Sequence, residues 1–320
     1  MPRYDVDGRT VFITGAARGI GAATARRLHA KGAHVALVGL EADRMEVLAA
    51  ELGSRAAVFA ADTTDAGALE RAVAGAVKRF GGIDVGIANA GIQMTGAVAT
   101  APERAVERTL EVNLLGVWRT DRALLPQITA RGGYLLNVAS LAAATHAPLM
   151  AAYAASKAGV EAFTNALRIE TSVTGARIGC AYFGFIDTDI VRGSFSQPSS
   201  AQMRAMLPPF MRTPAPLGLA VDAIEKGIEK RAARLWAPRY VGPVLALRGV
   251  LQPLSEWQMM RLGRRQLAEA LRLADPATGA DRAEDELLGA AGIVTTDGAG
   301  APEEAGAPTG AAASASAGAQ

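Results

Sequence analysis

The sequence predicts an α/β protein in which helices cover both faces of a parallel sheet. Short apolar runs rich in Val, Ile and Leu alternate along the chain with longer stretches of helical composition. Strands separated in this way form βαβ units, and right-handed crossovers wind the helices onto both faces of the sheet. Open sheets of this class bind ligands beyond the carboxyl ends of their strands. Five residues with suitable chemistry fall just past predicted strand ends: Gly15, Asp62, Asn89, Ser140 and Gly184.

The predicted strands and helices alternate from residue 10 to residue 237. Runs of β-branched and other apolar residues predict strands at 10–14, 34–38, 56–60, 83–88, 134–138, 177–182 and 234–237. The stretches between them have the length of helices, which we expect up to about 31 and then over 42–52, 65–80, 103–130, 151–173 and 217–231. We therefore assign residues 1–241 to one α/β domain.

Three glycines follow the first predicted strand directly. Gly15, Gly19 and Gly21 lie between the strand 10–14 and a helix rich in Ala and Arg. Glycines let the backbone approach a pyrophosphate, and a helix N-terminus offers free N–H groups and a positive dipole. A plain tight turn has the same spacing, so the strand–turn–helix context is what favours a nucleotide site.

The end of the second predicted strand leaves the choice between NAD(H) and NADP(H) open. An acid that binds the ribose is expected about 20 residues after the glycines. Gly39 and Leu40 occupy that place, and Glu41 comes late. Arg18, inside the glycine turn, and Arg44 are the nearest cations for a 2′-phosphate.

A tyrosine and a lysine four residues apart lie on the predicted helix 151–173. Residues i and i+4 share one face of a helix, so Tyr153 and Lys157 lie side by side. A nearby cation favours phenolate over phenol, which brings the tyrosine pKa closer to the pH at which proton transfer is efficient. Such a pair also arises by chance, with the ring packed and the lysine in water, so it needs a cofactor site and a third polar group.

Composition and charge exclude several classes of function. Acids and bases are interspersed and the net charge is +2, which argues against nucleic-acid binding. Cys180 is the only cysteine and lies in an apolar run, so we expect a buried thiol, no intramolecular disulfide and a reducing compartment. The first residues contain no apolar segment of a signal peptide, and no run of 18 apolar residues spans a bilayer. We predict no metal site, a cytoplasmic location and a homodimer or homotetramer.

Taken together, these motifs resemble those of the short-chain dehydrogenase/reductase family over residues 8–236. The resemblance rests on Thr14-Gly15-Ala16-Ala17-Arg18-Gly19-Ile20-Gly21, Asp62-Thr63, Asn89-Ala90-Gly91, Asn113, Ser140 and the Tyr153/Lys157 pair. It implies a Rossmann-type doubly wound sheet of seven parallel strands and an NAD(H)- or NADP(H)-dependent oxidoreductase acting on carbonyls and alcohols.

The resemblance also implies roles for individual residues. Tyr153 would be the acid/base, Lys157 would bind the nicotinamide ribose and lower the Tyr153 pKa, and Ser140 would orient the substrate oxygen. Asn113 would hold a water that links Lys157 to solvent. The remaining cofactor contacts would come from Gly15, Arg18, Gly19, Ile20, Gly21, Asp62 (to the adenine amino group), Thr63, Asn89, Ala90, Gly91, Ile186 and Thr188. The alternative roles are structural: caps and loop contacts for Asp62 and Asn89, and a helix contact for Asn113.

The sequence departs from the family pattern after the sixth strand. The family commonly has Pro-Gly there, whereas this chain has Phe183-Gly184-Phe185, so the backbone near the nicotinamide is expected to differ. Residues 192–216 correspond to the substrate lid. Their methionines, leucine and phenylalanine fit either an apolar substrate pocket or a helix packed on the core.

Two segments follow the α/β domain. Residues 242–274 are amphipathic and cationic, so they form a helical extension that packs at a subunit interface, covers the pocket or lies on a membrane surface; packing is favoured. Residues 275–320 are predicted to be a low-complexity, largely disordered tail, because 297–320 contains no large apolar residue.

The sequence therefore predicts an NAD(P)-dependent oxidoreductase that interconverts a secondary alcohol and a ketone on a small hydrophobic substrate. The alternative from another class is a cofactor-binding regulator or scaffold that keeps the fold without the chemistry. All four residues of the implied catalytic set, Asn113, Ser140, Tyr153 and Lys157, are present, which argues against that alternative.

Overall fold

The computed structural model describes residues 3–281, and a sheet of seven parallel strands forms its centre. Within those residues the strands are β1 (Thr10–Thr14), β2 (His34–Gly39), β3 (Ala56–Ala60), β4 (Val85–Ala88), β5 (Tyr134–Val138), β6 (Arg177–Phe183) and β7 (Arg234–Ala237). Their order is β3-β2-β1-β4-β5-β6-β7, and every pair is parallel. The predicted Rossmann-type architecture is confirmed.

The helices alternate with the strands as predicted, with one interruption. They are α1 (Gly19–Ala30), α2 (Ala42–Leu52), α3 (Ala66–Phe80), α4 (Glu103–Leu110), α5 (Gly116–Ala130), α6 (Ala151–Glu170), α7 (Asp189–Phe195), α8 (Pro198–Ala205), α9 (Leu217–Lys230), α10 (Val241–Ala246), α11 (Arg248–Arg261) and α12 (Arg264–Leu273). A π-helical turn, Glu111–Leu115, divides the helix that the sequence predicts as continuous over 103–130.

The hydrophobic core lies on both faces of the sheet. β1 and β5 are buried along their whole length, which is why they are apolar throughout rather than alternating. Helices α1 and α9 pack against one face, and α3 and α5 against the other. Cys180 is fully buried in β6, as expected, and burial raises the pKa of its thiol to about 11.

Strand order creates the crevice in which the predicted site residues meet. From the central pair β1 and β4, the chain builds the sheet outward through β2 and β3 on one side and through β5, β6 and β7 on the other. At such a switch point the loops beyond the carboxyl ends diverge, and a ligand crevice opens between them.

The C-terminal part of the described chain is helical where the sequence predicts an extension. The extension forms three helices, α10 to α12, and the first begins at Val241. The segment predicted as tail starts with a 3₁₀ turn, Pro276–Thr278, and the Asp281 carboxylate accepts a hydrogen bond from the Ser199 N–H at 3.1 Å. Residues 282–320, which include the rest of the predicted tail, lie outside the described residues. Among helices between residues 3 and 281, none has the length and apolarity needed to cross a membrane.

Candidate active site

The glycine turn after β1 fits the close approach of a dinucleotide. Gly15 has a φ of +65°, a conformation that favours glycine, and a Cβ there would lie 2.9 Å from the Ala90 Cα. A Cβ on Gly21 would lie 2.1 Å from the Gly15 carbonyl oxygen. Arg18 precedes α1 without capping it through its side chain, so the first turn of the helix offers backbone N–H groups to a phosphate.

A crevice of about 310 Å³ extends from this turn past the ends of β4, β5 and β6. It brings together all but two of the residues that the sequence assigns to the site: Gly15, Arg18, Gly19, Ile20, Asp62, Thr63, Asn89, Ala90, Gly91, Ser140, Tyr153, Lys157, Ile186 and Thr188. Gly21 and Asn113 lie behind its wall. Gly21 is buried inside the turn, and Asn113 is fully buried in the π-helical turn.

Asp62 follows β3 and is already engaged by the protein. Its carboxylate accepts a hydrogen bond from the Thr64 N–H at 2.8 Å and pairs with the Arg108 guanidinium at 3.2 Å. Burial acts to raise the pKa of Asp62, but the bonds from Thr64 and Arg108 outweigh it, and the pKa lies below its ordinary value. Arg108 also lines the crevice, and sequence reasoning did not single it out. Nothing in the helical pattern of 103–110 distinguishes it from a solvated arginine.

Asn89 holds β4 to the glycine turn. Its amide nitrogen donates to the Thr14 carbonyl at 3.0 Å and to the Gly15 carbonyl at 3.3 Å. The Asn89 N–H donates to the Thr14 hydroxyl at 3.0 Å. The side chain therefore fixes the relative position of two strand ends that form the floor of the crevice.

Asn113 fixes the loop after β4 from behind. Its side-chain oxygen accepts from the Ile92 N–H and its nitrogen donates to the Ile92 carbonyl, both at 2.8 Å. The same nitrogen donates to the Ser156 hydroxyl at 3.2 Å, which links the π-helical turn to α6. A Cβ on Gly91 would lie 3.1 Å from the Asn113 oxygen and 3.5 Å from the Lys157 Nζ, so the three groups meet at one point.

Ser140, Tyr153 and Lys157 form one wall of the crevice. The Ser140 hydroxyl accepts from the Ala142 N–H at 3.1 Å and donates to the Phe183 carbonyl at 3.3 Å. The Lys157 Nζ donates to the Val138 carbonyl at 2.9 Å and lies 5.8 Å from the centre of the Tyr153 ring. Helix α6 thus presents the phenol and the ammonium on one face, as the spacing predicts.

The expected lowering of the Tyr153 pKa does not occur in this structure. Burial raises the pKa of Tyr153 above its ordinary value, and the hydrogen bond with Ser140 opposes this effect only in part. Burial also lowers the pKa of Lys157 to about 8. Both groups are buried, and desolvation of the charged form is the largest cause of both pKa shifts. The tyrosine is a neutral phenol at neutral pH in this structure.

The end of β2 carries a compact charge cluster. The Glu41 carboxylate pairs with the Arg18 guanidinium at 3.0 Å and with Arg44 at 3.2 Å. The Asp189 carboxylate lies 3.9 Å from the Arg18 guanidinium. Arg18 and Arg44, the two cations available for a 2′-phosphate, therefore both pair with Glu41. Glu41 comes later in the sequence than the expected ribose-binding acid, so its position did not suggest this role.

Residues 183–188 close the crevice beside the glycine turn. Phe183 is buried in the core, whereas the Phe185 ring contacts the Phe195 ring at a tilt of 59°, with 5.0 Å between ring centres. A Cβ on Gly184 would lie 2.5 Å from the Tyr240 hydroxyl, so glycine here admits a residue that leads into α10. The Thr188 hydroxyl caps α7 by accepting from the Val191 N–H at 3.4 Å, with its methyl against the glycine turn.

The lid segment divides its apolar residues between two roles. Leu207 and Met211 line the crevice. Met203 instead packs against Ala270 and Ala274 of the extension, in a cluster with Ala97. The methionine-rich segment therefore contributes to the crevice wall and to packing on the extension, through different residues.

Comparison with known proteins assigns the family. A family model described as short chain dehydrogenase matches residues 9–199, more than half of the chain. The chain is 36% identical over 186 residues to nodulation protein G of Rhizobium sp. (strain N33), covering 58% of this chain and 76% of that protein. It is 32% identical over 206 residues to 2,3-dihydro-2,3-dihydroxybenzoate dehydrogenase of Bacillus subtilis (strain 168), covering 63% and 79%.

A solved structure is similar over most of the fold. The alcohol dehydrogenase of the archaeon Thermococcus sibiricus, complexed with 5-hydroxy-NADP, superposes with a TM-score of 0.62 at 28% identity. The match covers 71% of this chain and 95% of that one. With the family match and the dehydrogenases among its relatives, the chain belongs to the short-chain dehydrogenase/reductase family and is an NAD(P)-binding oxidoreductase acting on CH–OH groups.

Proposed function

We propose that the chain interconverts a secondary alcohol and a ketone on a hydrophobic substrate, with Tyr153 as acid/base. The observation that carries this proposal is the shared wall of Ser140, Tyr153 and Lys157, which faces the same crevice as the glycine turn. A proton-transfer group and a cofactor cradle must share one cavity for this reaction. The bound nicotinamide supplies the hydride acceptor or donor.

Tyr153 moves the proton in this proposal. In reduction the neutral phenol donates its proton to the substrate oxygen, and in oxidation the phenolate accepts it. Ser140 orients that oxygen through its hydroxyl. Lys157, with a pKa lowered to about 8 by burial, is still mostly protonated at pH 7, so its positive charge favours the phenolate. Asn113 holds Gly91 and Ile92 in place behind Lys157, and we retain the role in proton exit that the family resemblance implies.

The apolar wall contributed by the lid supports a hydrophobic substrate. Leu207 and Met211 of the lid line the crevice, together with Met150 at the start of α6. Flexible thioethers adapt to apolar ligands of irregular shape. A second cavity of about 390 Å³ lies between the lid and α11, and Leu207 contributes to the walls of both cavities.

Replacing Tyr153 by Phe tests the assignment. Without the hydroxyl, turnover should fall by about 10²- to 10⁴-fold, the usual contribution of a positioned acid/base. Affinity for NADH and NADPH, measured by fluorescence titration, should stay within about threefold, because the ring and the glycine turn remain. The matched control is Tyr4→Phe: within residues 3–281 the Tyr4 hydroxyl donates to the Asp84 carbonyl at 3.5 Å, and neither residue lines the crevice. A Tyr153→Phe enzyme that turns over at nearly the wild-type rate would refute the proposal.

A cofactor-binding regulator without catalysis is the alternative from another class. It predicts normal binding of NADH or NADPH and no turnover of any hydroxylated lipid, steroid or small ketone by the wild-type chain. The same titrations measure the preference between NADH and NADPH. The cytoplasmic location and the homodimer or homotetramer stay predictions, and light scattering of the full chain measures the second.

A further inference from the structure

Helix α11 carries an apolar stripe that faces away from the protein. Leu247, Val250, Leu254 and Trp257 recur at intervals of three and four residues, so they lie along one side of the helix. Their exposed fractions are 56%, 68%, 55% and 53%, and no residue of α11 is buried. An apolar helical stripe in a globular protein normally packs on the core. This one does not.

The opposite side of the same helix is fixed to the α/β domain. The Arg248 guanidinium pairs with the Glu161 carboxylate of α6 at 2.7 Å. The Gln252 side chain accepts from the His146 N–H at 2.8 Å and donates to the Glu256 carboxylate at 2.8 Å. These bonds orient α11, so the exposure of its apolar stripe follows from the way the helix is held.

Three arginines follow the stripe along the chain: Arg261 ends α11, and Arg264 and Arg265 begin α12. Arg261, Arg264 and Arg265 are all exposed, and within residues 3–281 none of them forms an ion pair. The acid of α11, Glu256, lies on the opposite side of the helix, one half-turn from the stripe. The surface therefore combines exposed apolar side chains with unpaired positive charge.

The size and charge of this surface decide between a second copy of the chain and a lipid surface. From Leu247 to Trp257 the stripe is only about 15 Å long. A contact along so short a helix falls below the roughly 800 Å² per partner that a stable protein interface needs. A tryptophan, aliphatic residues and flanking arginines without an acid are instead typical of helices that lie in the interface of an anionic bilayer.

We propose that α11 docks this chain on the surface of a membrane rich in anionic lipid. Leu247, Val250, Leu254 and Trp257 insert between the headgroups, while Arg261, Arg264 and Arg265 contact lipid phosphates. The helix lies parallel to the bilayer plane. This proposal is independent of the reaction proposed above, because binding needs neither cofactor nor substrate.

Co-sedimentation of the full chain with vesicles tests the proposal. The wild type should bind vesicles of phosphatidylcholine mixed with phosphatidylglycerol and bind phosphatidylcholine alone much more weakly. The variant Leu254→Ser/Trp257→Ser should bind the anionic vesicles at least about tenfold more weakly, because two apolar anchors are lost. Val47→Ser is the matched control: Val47 is 72% exposed on α2, and its loss should leave binding unchanged.

A second variant separates charge from apolar insertion. Arg261→Gln/Arg264→Gln/Arg265→Gln should reduce binding to anionic vesicles by about tenfold or more and leave the weak binding to neutral vesicles unchanged. Thermal unfolding midpoints within the wild-type range show that the variants are folded. The proposal is overturned if the wild type does not prefer anionic vesicles, or if both variants sediment like the wild type. A concentration-dependent dimer that only Leu254→Ser/Trp257→Ser loses, without vesicle binding by the wild type, assigns the stripe to a second copy instead.

Discussion

Glu41 lies at the position where the nucleotide-binding crevice meets the end of β2. Its carboxylate holds Arg18 at 3.0 Å and Arg44 at 3.2 Å. A 2′-phosphate entering this corner gains the two guanidinium groups but meets a carboxylate already bound to them. A ribose hydroxyl meets no such repulsion, and the carboxylate can accept its hydrogen bond. We therefore predict that the charge of Glu41 shifts the balance between NADH and NADPH.

Replacing Glu41 by Gln should shift the preference toward NADPH. The change removes the negative charge and leaves both arginines in place, so the dissociation constant for NADPH should fall by about tenfold, or ~1.4 kcal/mol. Affinity for NADH should stay the same or weaken slightly. Parallel fluorescence titrations with the two cofactors measure the ratio. Glu46→Gln, at an exposed position on α2, is the control. Equal changes in the dissociation constants for NADH and NADPH would contradict this account of Glu41.

The residues that the sequence identified share one property. Gly15, Tyr153 and Lys157 could be recognised because their chemistry depends on spacing along a single turn or helix. The contacts of Glu41 and Arg108 join elements far apart in the chain, and no local pattern signals them. The pKa of Tyr153 differs from the expectation for a related reason: the sequence shows a lysine four residues away, but it does not show the burial that raises the pKa.

At the scale of elements, a buried polar group links α5, β5 and α6. The Asn137 amide of β5 donates to the Asp121 carboxylate of α5 at 2.7 Å and to the Thr164 hydroxyl of α6 at 3.0 Å. Asp121 is fully buried, and its other oxygen has no hydrogen-bond partner within residues 3–281. Burial raises the pKa of Asp121 to about 8, although the bond from Asn137 acts against the shift.

This link makes stability depend on pH with a known sign. Between about pH 4 and pH 8 the native Asp121 holds a proton that the unfolded chain has released, so the free energy of unfolding falls as pH rises. The variant Asp121→Asn mimics the protonated form at every pH. It should match the wild type near pH 4 and exceed its free energy of unfolding at pH 9, by on the order of 5 kcal/mol.

Urea unfolding at the two pH values measures the effect. The difference between variant and wild type cancels the contributions of other titrating groups. For the control Asp43→Asn, at an exposed position on α2, the difference in the free energy of unfolding from the wild type should not change with pH. A difference for Asp121→Asn that is constant between pH 4 and pH 9 would mean that Asp121 is already charged in the native state.

The π-helical turn at Glu111–Leu115 shows where element prediction fails. Apolar periodicity over 103–130 predicts one helix, and the chain is indeed helical throughout, but one turn is widened. The widened turn contains Asn113, whose side chain satisfies both backbone groups of Ile92. Such turns concentrate at functional sites. Composition gives no sign of them, because the partner that they serve lies in a distant loop.

At the scale of the whole molecule, the extension holds the lid. Helix α12 packs along α8 through Ala270 and Ala274, which meet Met203 in a buried cluster. Asp281 accepts from the Ser199 N–H at 3.1 Å and adds a polar contact to the same helix. The amphipathic pattern predicted a helical extension and left its partner open among an interface, the pocket and a membrane. The packing partner of α12 is the lid, whereas the stripe of α11 is exposed in the part of the chain that the structure describes.

The lid should become less firmly packed when a larger side chain is placed in the contact between α12 and α8. Ala270 is fully buried between α12 and α8, so Ala270→Trp has no room and should force the two helices apart at a cost of about 1–3 kcal/mol. Local opening of α8 then becomes more frequent, and trypsin should cleave after Arg204 about tenfold faster. The Michaelis constant for an apolar substrate should rise with little change in kcat, because Leu207 and Met211 lose their support. Ala268→Trp places the same side chain on the exposed side of α12 and should change neither quantity. If trypsin cleaves both variants at the wild-type rate, α12 does not stabilise the lid, and the α/β domain alone determines the shape of the crevice.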